Sequence, residues 1–178
     1  GVADEVVWLS TTAATATVNL GQSPNRTWIA VDIRDAAPDQ PVAVPVPDRA
    51  GGGEAAVRGL SVTPREGGNF TLTATDSDVP LGSSPGFRLG DGTTPLSYLS
   101  VDHSIANAAI ANASLTVRVS KERLAALNTS ADAVTLYRYD GSEWVPQPTA
   151  VRSETDTAAV LVATADGLSE WTAAARRP

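Results

Sequence analysis

The chain has no cysteine, which excludes disulfides, thiolate metal sites and a cysteine nucleophile. That leaves the compartment open, because an exported protein can do without disulfides. Methionine is also absent and the first residue is Gly1, so a processed or excised piece is expected. There is one histidine, His103, and one lysine, Lys121, beside twelve arginines. A lone histidine without cysteine leaves zinc short of ligands. No apolar run approaches the length of a membrane span and no signal peptide is present, so any export signal or anchor is expected outside this segment. The glycines Gly51-Gly52-Gly53 lack the lysine and helix that a phosphate loop requires. No paired carboxylates stand out as acid and base. Neither a cofactor nor a resident metal is expected, and no catalytic residue is assigned.

What is present is a 178-residue chain, long enough for one large domain or two small ones with a hydrophobic core that needs no staples. Its 20 acidic and 13 basic residues give a net charge of −7. A general nucleic-acid binder would carry a basic stripe instead. Alanine, threonine and valine are abundant, whereas phenylalanine and tyrosine are scarce. An acidic, arginine-over-lysine composition suits a haloarchaeal protein, since acidic residues aid solubility and high salt screens their repulsion. A GC-rich bacterium is the other source that fits. Four sequons begin at Asn25, Asn69, Asn112 and Asn128. In an exported protein each is a glycan acceptor candidate and is expected at the surface. Chance also makes sequons in a threonine-rich chain, but four spread along it favour export.

Period-two alternation recurs along the chain and marks strands. It runs over Ala13 to Leu20 and Thr27 to Arg34, the latter with Ile29, Val31 and Ile33 on one face. Pro41 to Pro47 alternates valine with proline or alanine, which predicts an edge strand or an extended loop. Val57 to Thr63 and Asn69 to Thr75 follow, then a loop rich in Ser, Pro and Gly from Asp76 to Pro95. Beyond it the pattern predicts strands at Leu96 to Val101, Leu115 to Val119, Val134 to Tyr139, Glu143 to Val145, Ala150 to Glu154, Thr157 to Ala165 and Leu168 to Ala174. One short helix is predicted near 120–128. Ser120 caps it, Glu122 lies in the first turn where the helix dipole favours an acid, Leu124 and Leu127 make its apolar stripe, and Asn128 is a left-handed stop. The fold class is therefore all-β, an antiparallel β-sandwich of one or two packed immunoglobulin-like units. Residues 1–92 are expected to be an N-terminal β-sandwich portion and 93–178 a C-terminal β portion, with the Asp76–Pro95 loop as the natural boundary if there are two units.

Three stretches, "PLSYLSVDHSIANAAIANASLTVRVSKERL", "VTLYRYDGSEWVPQPT" and "ETDTAAVLVATADGLSEW", resemble the PGF-pre-PGF domain of archaeal surface proteins. The likeness covers roughly Leu96 to Ala174, about half the chain, and is most specific at Val134–Trp144 and Gly167–Trp171. The first half resembles the family only loosely, through "GLSVTPREGGNFTLTAT". The sequence departs from the pattern at Glu170-Trp171-Thr172-Ala173, where the family usually ends in "F-A-I". The resemblance implies a secreted archaeal protein, often with a sorting tail farther along that an archaeosortase processes. It brings no enzymatic activity and no catalytic residue. Pro85-Gly86-Phe87 is not the sorting signal, because Arg88-Leu89-Gly90-Asp91 supplies neither the apolar helix nor the basic residues required.

Three groups of residues invite a chemical reading. Tyr137, Tyr139 and Trp144 crowd around the turn signal Asp140-Gly141. A row of such rings can stack on sugars, but cross-strand aromatic pairs also stabilise hairpins, and the structural reading is favoured. Arg138 is expected to stack on a neighbouring ring. Asp102-His103-Ser104 suggests a triad, yet adjacent residues on a strand point to opposite faces and cannot relay a proton. Self-cleavage beside a His-x-Ser/Thr motif also fits poorly, since Ser104 follows His103 directly. A strand-end histidine bonded to a loop is expected instead. Asp76-Ser77-Asp78 and Asp91-Gly92 flank the long loop, but three acids are too few for calcium, and solvated turn aspartates are the expectation.

The chain is thus expected to be a non-catalytic extracellular module of a surface protein, serving as stalk, adhesion element or lattice contact. One alternative is a self-assembling subunit of a filament or surface layer. It would work by strand donation from the arm Val2 to Leu9, although an ordinary first strand is favoured there. Another is a carbohydrate-binding accessory domain of an exported enzyme, which an exposed Tyr137, Tyr139 and Trp144 platform would support. Expected partners are other surface-protein domains or copies of itself, with glycans as a further candidate and nucleic acid excluded.

Overall fold

The computed structural model describes residues 5–10, 15–23, 26–45, 55–77 and 92–176. Alternating β-branched and polar residues favour extended chain, and the first strands in order are β1 (Glu5–Ser10), β2 (Thr15–Ser23), β3 (Arg26–Ala36), β4 (Val42–Pro45), β5 (Ala55–Pro64) and β6 (Gly68–Ser77). After the long connection come β7 (Thr93–His103), β8 (Ile110–Ser120), the helix α1 (Lys121–Ala126), β9 (Val134–Tyr139) and β10 (Trp144–Pro146). The remainder is β11 (Thr149–Glu154), β12 (Ala158–Ala165) and β13 (Glu170–Arg176), with 3-10 turns at Asn107–Ala109 and Ala131–Ala133. The all-β, antiparallel sandwich expected from alternation is what forms. One sheet has eight strands in the order β1-β2-β3-β6-β7-β13-β9-β10, and the other has five, in the order β11-β12-β8-β5-β4.

Strands from before and after residue 92 lie in both sheets. β6 pairs with β7 in the larger sheet and β5 with β8 in the smaller. One buried cluster lies between the sheets and draws on both sides of that position, with Val18, Ile29, Val31 and Leu72 joined by Leu115, Leu136, Leu161 and Trp171. Each such aliphatic side chain contributes about 1.5–3 kcal/mol when fully buried. The alternation is followed closely. In β8, Leu115, Val117 and Val119 are buried while Thr116 and Arg118 are half-exposed. Where strict alternation fails, a bulge explains it. β5 shifts register between Val57 and Gly59, which lets Val57, Leu60 and Val62 all reach the core.

The predicted loop from Asp76 to Pro95 is shorter at both ends. Asp76 and Ser77 complete β6, and Thr93 to Pro95 begin β7; the intervening residues 78–91 lie outside the described ones. Pro95 is tolerated there because β7 and β13 shift register at that point, and a proline has no N–H to give to a ladder. The helix follows its local signals. Ser120 Oγ accepts from the Arg123 N–H at 3.4 Å, Leu124 is buried, and Asn128 sits at φ 55°. Among the described residues no helix is long and apolar enough to cross a membrane.

Candidate functional site

β9 and β10 form the aromatic hairpin, with Tyr139 opposite Trp144 and Tyr137 opposite Pro146. The turn is longer than a two-residue one. The Asp140 N–H donates to the Glu143 carbonyl at 3.0 Å, and Gly141 adopts φ 103°, which costs glycine nothing. Asp140 Oδ1 accepts from the Glu143 N–H at 2.8 Å and from the Ser142 N–H and hydroxyl at 2.8 and 3.0 Å. These donors, the Glu143 N–H first, hold the Asp140 carboxyl below its usual value.

The rings lie against the outer face of the larger sheet. Tyr139 and Trp144 have ring centroids 5.3 Å apart at 58°. Trp144 also meets Tyr98, at 6.3 Å and 55°. Tyr98 comes from β7, and β13 runs between it and the hairpin, so that Thr172 stands opposite both Tyr98 and Tyr137. Thr172 is fully buried and its hydroxyl donates to the Ser97 carbonyl at 2.9 Å. Tyr98 and Ala174 form a small buried cluster on this face, and Tyr137 and Trp144 pack on it. Burial raises the Tyr137 hydroxyl pKa, with Arg176 partly opposing. Tyr137, Tyr139 and Trp144 are each half-buried. Tilted contacts of this kind are favourable ring-to-ring geometry. The rings pack on one another and on Ala174 of β13. The sequence pointed to three of the four rings. Tyr98 was missed because it lies far away in sequence and is brought to the hairpin by the pairing of β7 and β9 with β13.

Arg138, expected to stack on a ring, donates to Ser169 Oγ at 3.1 Å, and Ser169 Oγ donates to the Tyr139 carbonyl at 2.9 Å. His103 ends β7 and is tied to loops, as expected. Nδ1 contacts the Ile105 carbonyl and Nε2 lies 3.3 Å from the Leu168 carbonyl. Ser104 Oγ accepts from the Thr71 N–H at 2.9 Å. His103 and Ser104 are thus engaged with separate backbone groups and do not form a relay.

Asp76 corrects one expectation. It is a buried residue at the end of β6, 6% exposed, and its Oδ2 accepts from the Val57 N–H in the opposite sheet at 3.4 Å. Its parity with Phe70, Leu72 and Ala74 places it on the inner face, a signal that the polar neighbours obscured. Asp78 and Asp91 lie outside the described residues.

Of the sequon residues, Asn25 lies outside the described residues, while Asn69, Asn112 and Asn128 are exposed. Asn69 Oδ1 accepts from the Asp35 N–H at 2.9 Å, steadying the bulge where Asp35 takes φ 60°. Asn112 borders a shallow groove of about 320 Å³ together with Gln147, Pro148 and Asp166. A larger open cleft of about 720 Å³ lies beside α1, bordered by Arg118, Lys121, Glu122, Glu154 and Asp156. There Lys121 pairs with Glu154 at 3.4 Å. Both signs of charge line it.

No family model matches the chain, and no curated protein matches it.

Proposed function

We propose that the chain is a non-catalytic extracellular structural module of an archaeal surface protein, of the PGF-pre-PGF kind. It would serve as stalk, adhesion element or lattice contact. The observation that carries this reading is the exposure of three sequon residues, Asn69, Asn112 and Asn128. The acidic composition and the sequence resemblance support it. So does the engagement of His103 with backbone carbonyls, which leaves its ring occupied structurally. The test is glycopeptide mass spectrometry on protein taken from its own cells, combined with cell fractionation. Glycan on peptides containing Asn112 or Asn128, in the surface fraction, is the expected result. An unmodified chain in the cytoplasmic fraction overturns the reading.

A second reading, a carbohydrate-binding accessory domain, draws on the partial exposure of Tyr137, Tyr139 and Trp144. The tilt between Tyr139 and Trp144 weighs against it, and a sugar titration of the Trp144→Ala variant separates the two.

A further inference from the structure

His103 is the one histidine of a chain without cysteine, so its ring is the only side chain that ordinarily titrates between about pH 5 and 8. It stands at the end of β7 opposite Leu72, a core residue of β6, and so shares the inner face of the larger sheet. Both ring nitrogens meet carbonyl oxygens. Nδ1 meets that of Ile105, and Nε2 lies 3.3 Å from that of Leu168. A carbonyl only accepts, and a neutral imidazole has a single N–H. In the neutral ring one of the two contacts sets a nitrogen lone pair against an oxygen. The imidazolium donates to both.

Leu168 belongs to the connection 166–169 between β12 and β13. Beside it the Ser169 carbonyl accepts from the Val101 N–H at 2.9 Å, and the Ser169 hydroxyl joins Arg138 to the Tyr139 carbonyl of the hairpin. His103 thus fastens to β7 the connection on which the hairpin leans. We propose that His103 is a proton-operated clamp. The imidazolium holds the connection to β7, whereas the neutral ring keeps its N–H on Ile105, two residues away, and releases Leu168. The charged neighbours pull both ways. Asp102 and Glu170 stand opposite Thr73 and Ser100, on the outer face, and Asp166 opens the connection. Arg138 binds Ser169, and Arg65 from the other sheet is held by the Ala108 carbonyl at 3.1 Å. On the inner face of β6, Asp76 lies opposite Leu99, four residues along β7 from His103. The stretch from Ser104 to Ala109 carries no charge. Among the described residues none of these groups bonds to His103, so the two carbonyls decide which ring form fits. The clamp belongs to the fold, whichever function the module serves.

The protonated ring makes one hydrogen bond more than the neutral ring in the folded chain, and unfolding removes both. The added stability is therefore present at low pH and lost as pH rises through the titration of the ring. Thermal unfolding at about pH 5.5 and about pH 7.5, either side of the ordinary imidazole value, tests this on the wild type and on His103→Gln. The amide of the variant does not titrate, so changes from the carboxylates appear in both proteins and cancel. The wild-type Tm is expected to fall by about 2–4 °C more than that of the variant, the size of one hydrogen bond in a domain of this length. Equal changes in the two proteins overturn the proposal, as does a wild type that gains on the variant at the higher pH. If His103→Gln fails to fold, proton–nitrogen NMR of the lone ring in the wild type decides. Two slowly exchanging ring N–H protons are expected at the lower pH and one, on Nδ1, at the higher. A ring nitrogen without such a proton at the lower pH, a neutral ring protonated on Nε2, or no change between the two conditions overturns it.

Discussion

The two ends of the eight-stranded sheet cover their outer faces differently. At one end, among the described side chains, a single ring does it. Gly21 in β2 stands opposite Trp28 in β3, and a Cβ on Gly21 would lie 1.9 Å from Trp28 Cε2. The indole therefore rests on bare backbone. At the other end Tyr98, Tyr137, Tyr139 and Trp144 gather over Thr172 and Ala174, and the hairpin runs out in prolines. Both devices remove backbone and small residues from water. A cluster of rings is therefore an ordinary structural answer here, and aromatic crowding by itself does not mark a ligand site. The edges differ as well, because among the described residues the Trp28 end stops at β1, which contains no proline, whereas the hairpin end stops at β10, which ends in one.

The comparison breaks most readily at Tyr98, which is 7% exposed and links β7 to the hairpin. Tyr98→Ala is expected to cost about 3 kcal/mol in denaturant unfolding, near the low end for aromatic truncations. A loss below about 1 kcal/mol would mean the cluster does not hold that end together. Gly21→Ala tests the opposite end. The added methyl must displace the Trp28 ring, for about 1–3 kcal/mol of overpacking, with altered tryptophan fluorescence as the accompanying sign. Unchanged stability would show that the indole has room to move. Trp144→Ala removes a half-buried ring and is expected to cost about 1–2 kcal/mol, less than Tyr98→Ala. It sharpens the functional question too. If a soluble oligosaccharide binds the wild type and not this variant, the sugar-binding reading displaces the structural one.

The smallest effect is expected at the turn. Hydrogen bonds from Glu143 and Ser142 lower the Asp140 pKa from its ordinary 3.8. Its stabilising contribution is therefore fully present above that ordinary value and is lost as pH falls through the lowered folded value. The Asp140→Asn substitution keeps an acceptor oxygen but removes the charge, and should flatten the acid limb of a plot of Tm against pH. An identical acid limb would show that the carboxylate charge does not matter there.

Much of this was legible beforehand, for a local reason. Ile29, Val31 and Ile33 on one face of β3, and Leu115, Val117 and Val119 on one face of β8, are set by the two-residue period of an extended chain. Ser120 and Asn128 mark the helix by capping chemistry within a few residues. The long loop was overdrawn because Asp76 and Ser77 look like turn residues, although parity with Ala74 already put Asp76 on the inner face. The part of the hairpin site that was not legible is Tyr98, because burial in β7 does not alternate from Leu96 to Leu99 and nothing local says which strands lie beside it.

Alternation, capping and turn chemistry, each written in a handful of neighbouring residues, determined that this chain is an antiparallel all-β protein with one short helix. Only the tertiary structure decided that β13 would lie between β7 and β9, that Asp76 would reach Val57 across the core, and that β1 would be left as an edge. The physical reason is that backbone period and local hydrogen bonding act over a few residues. The choice of strand neighbour depends on closing long loops and burying faces contributed by the whole chain.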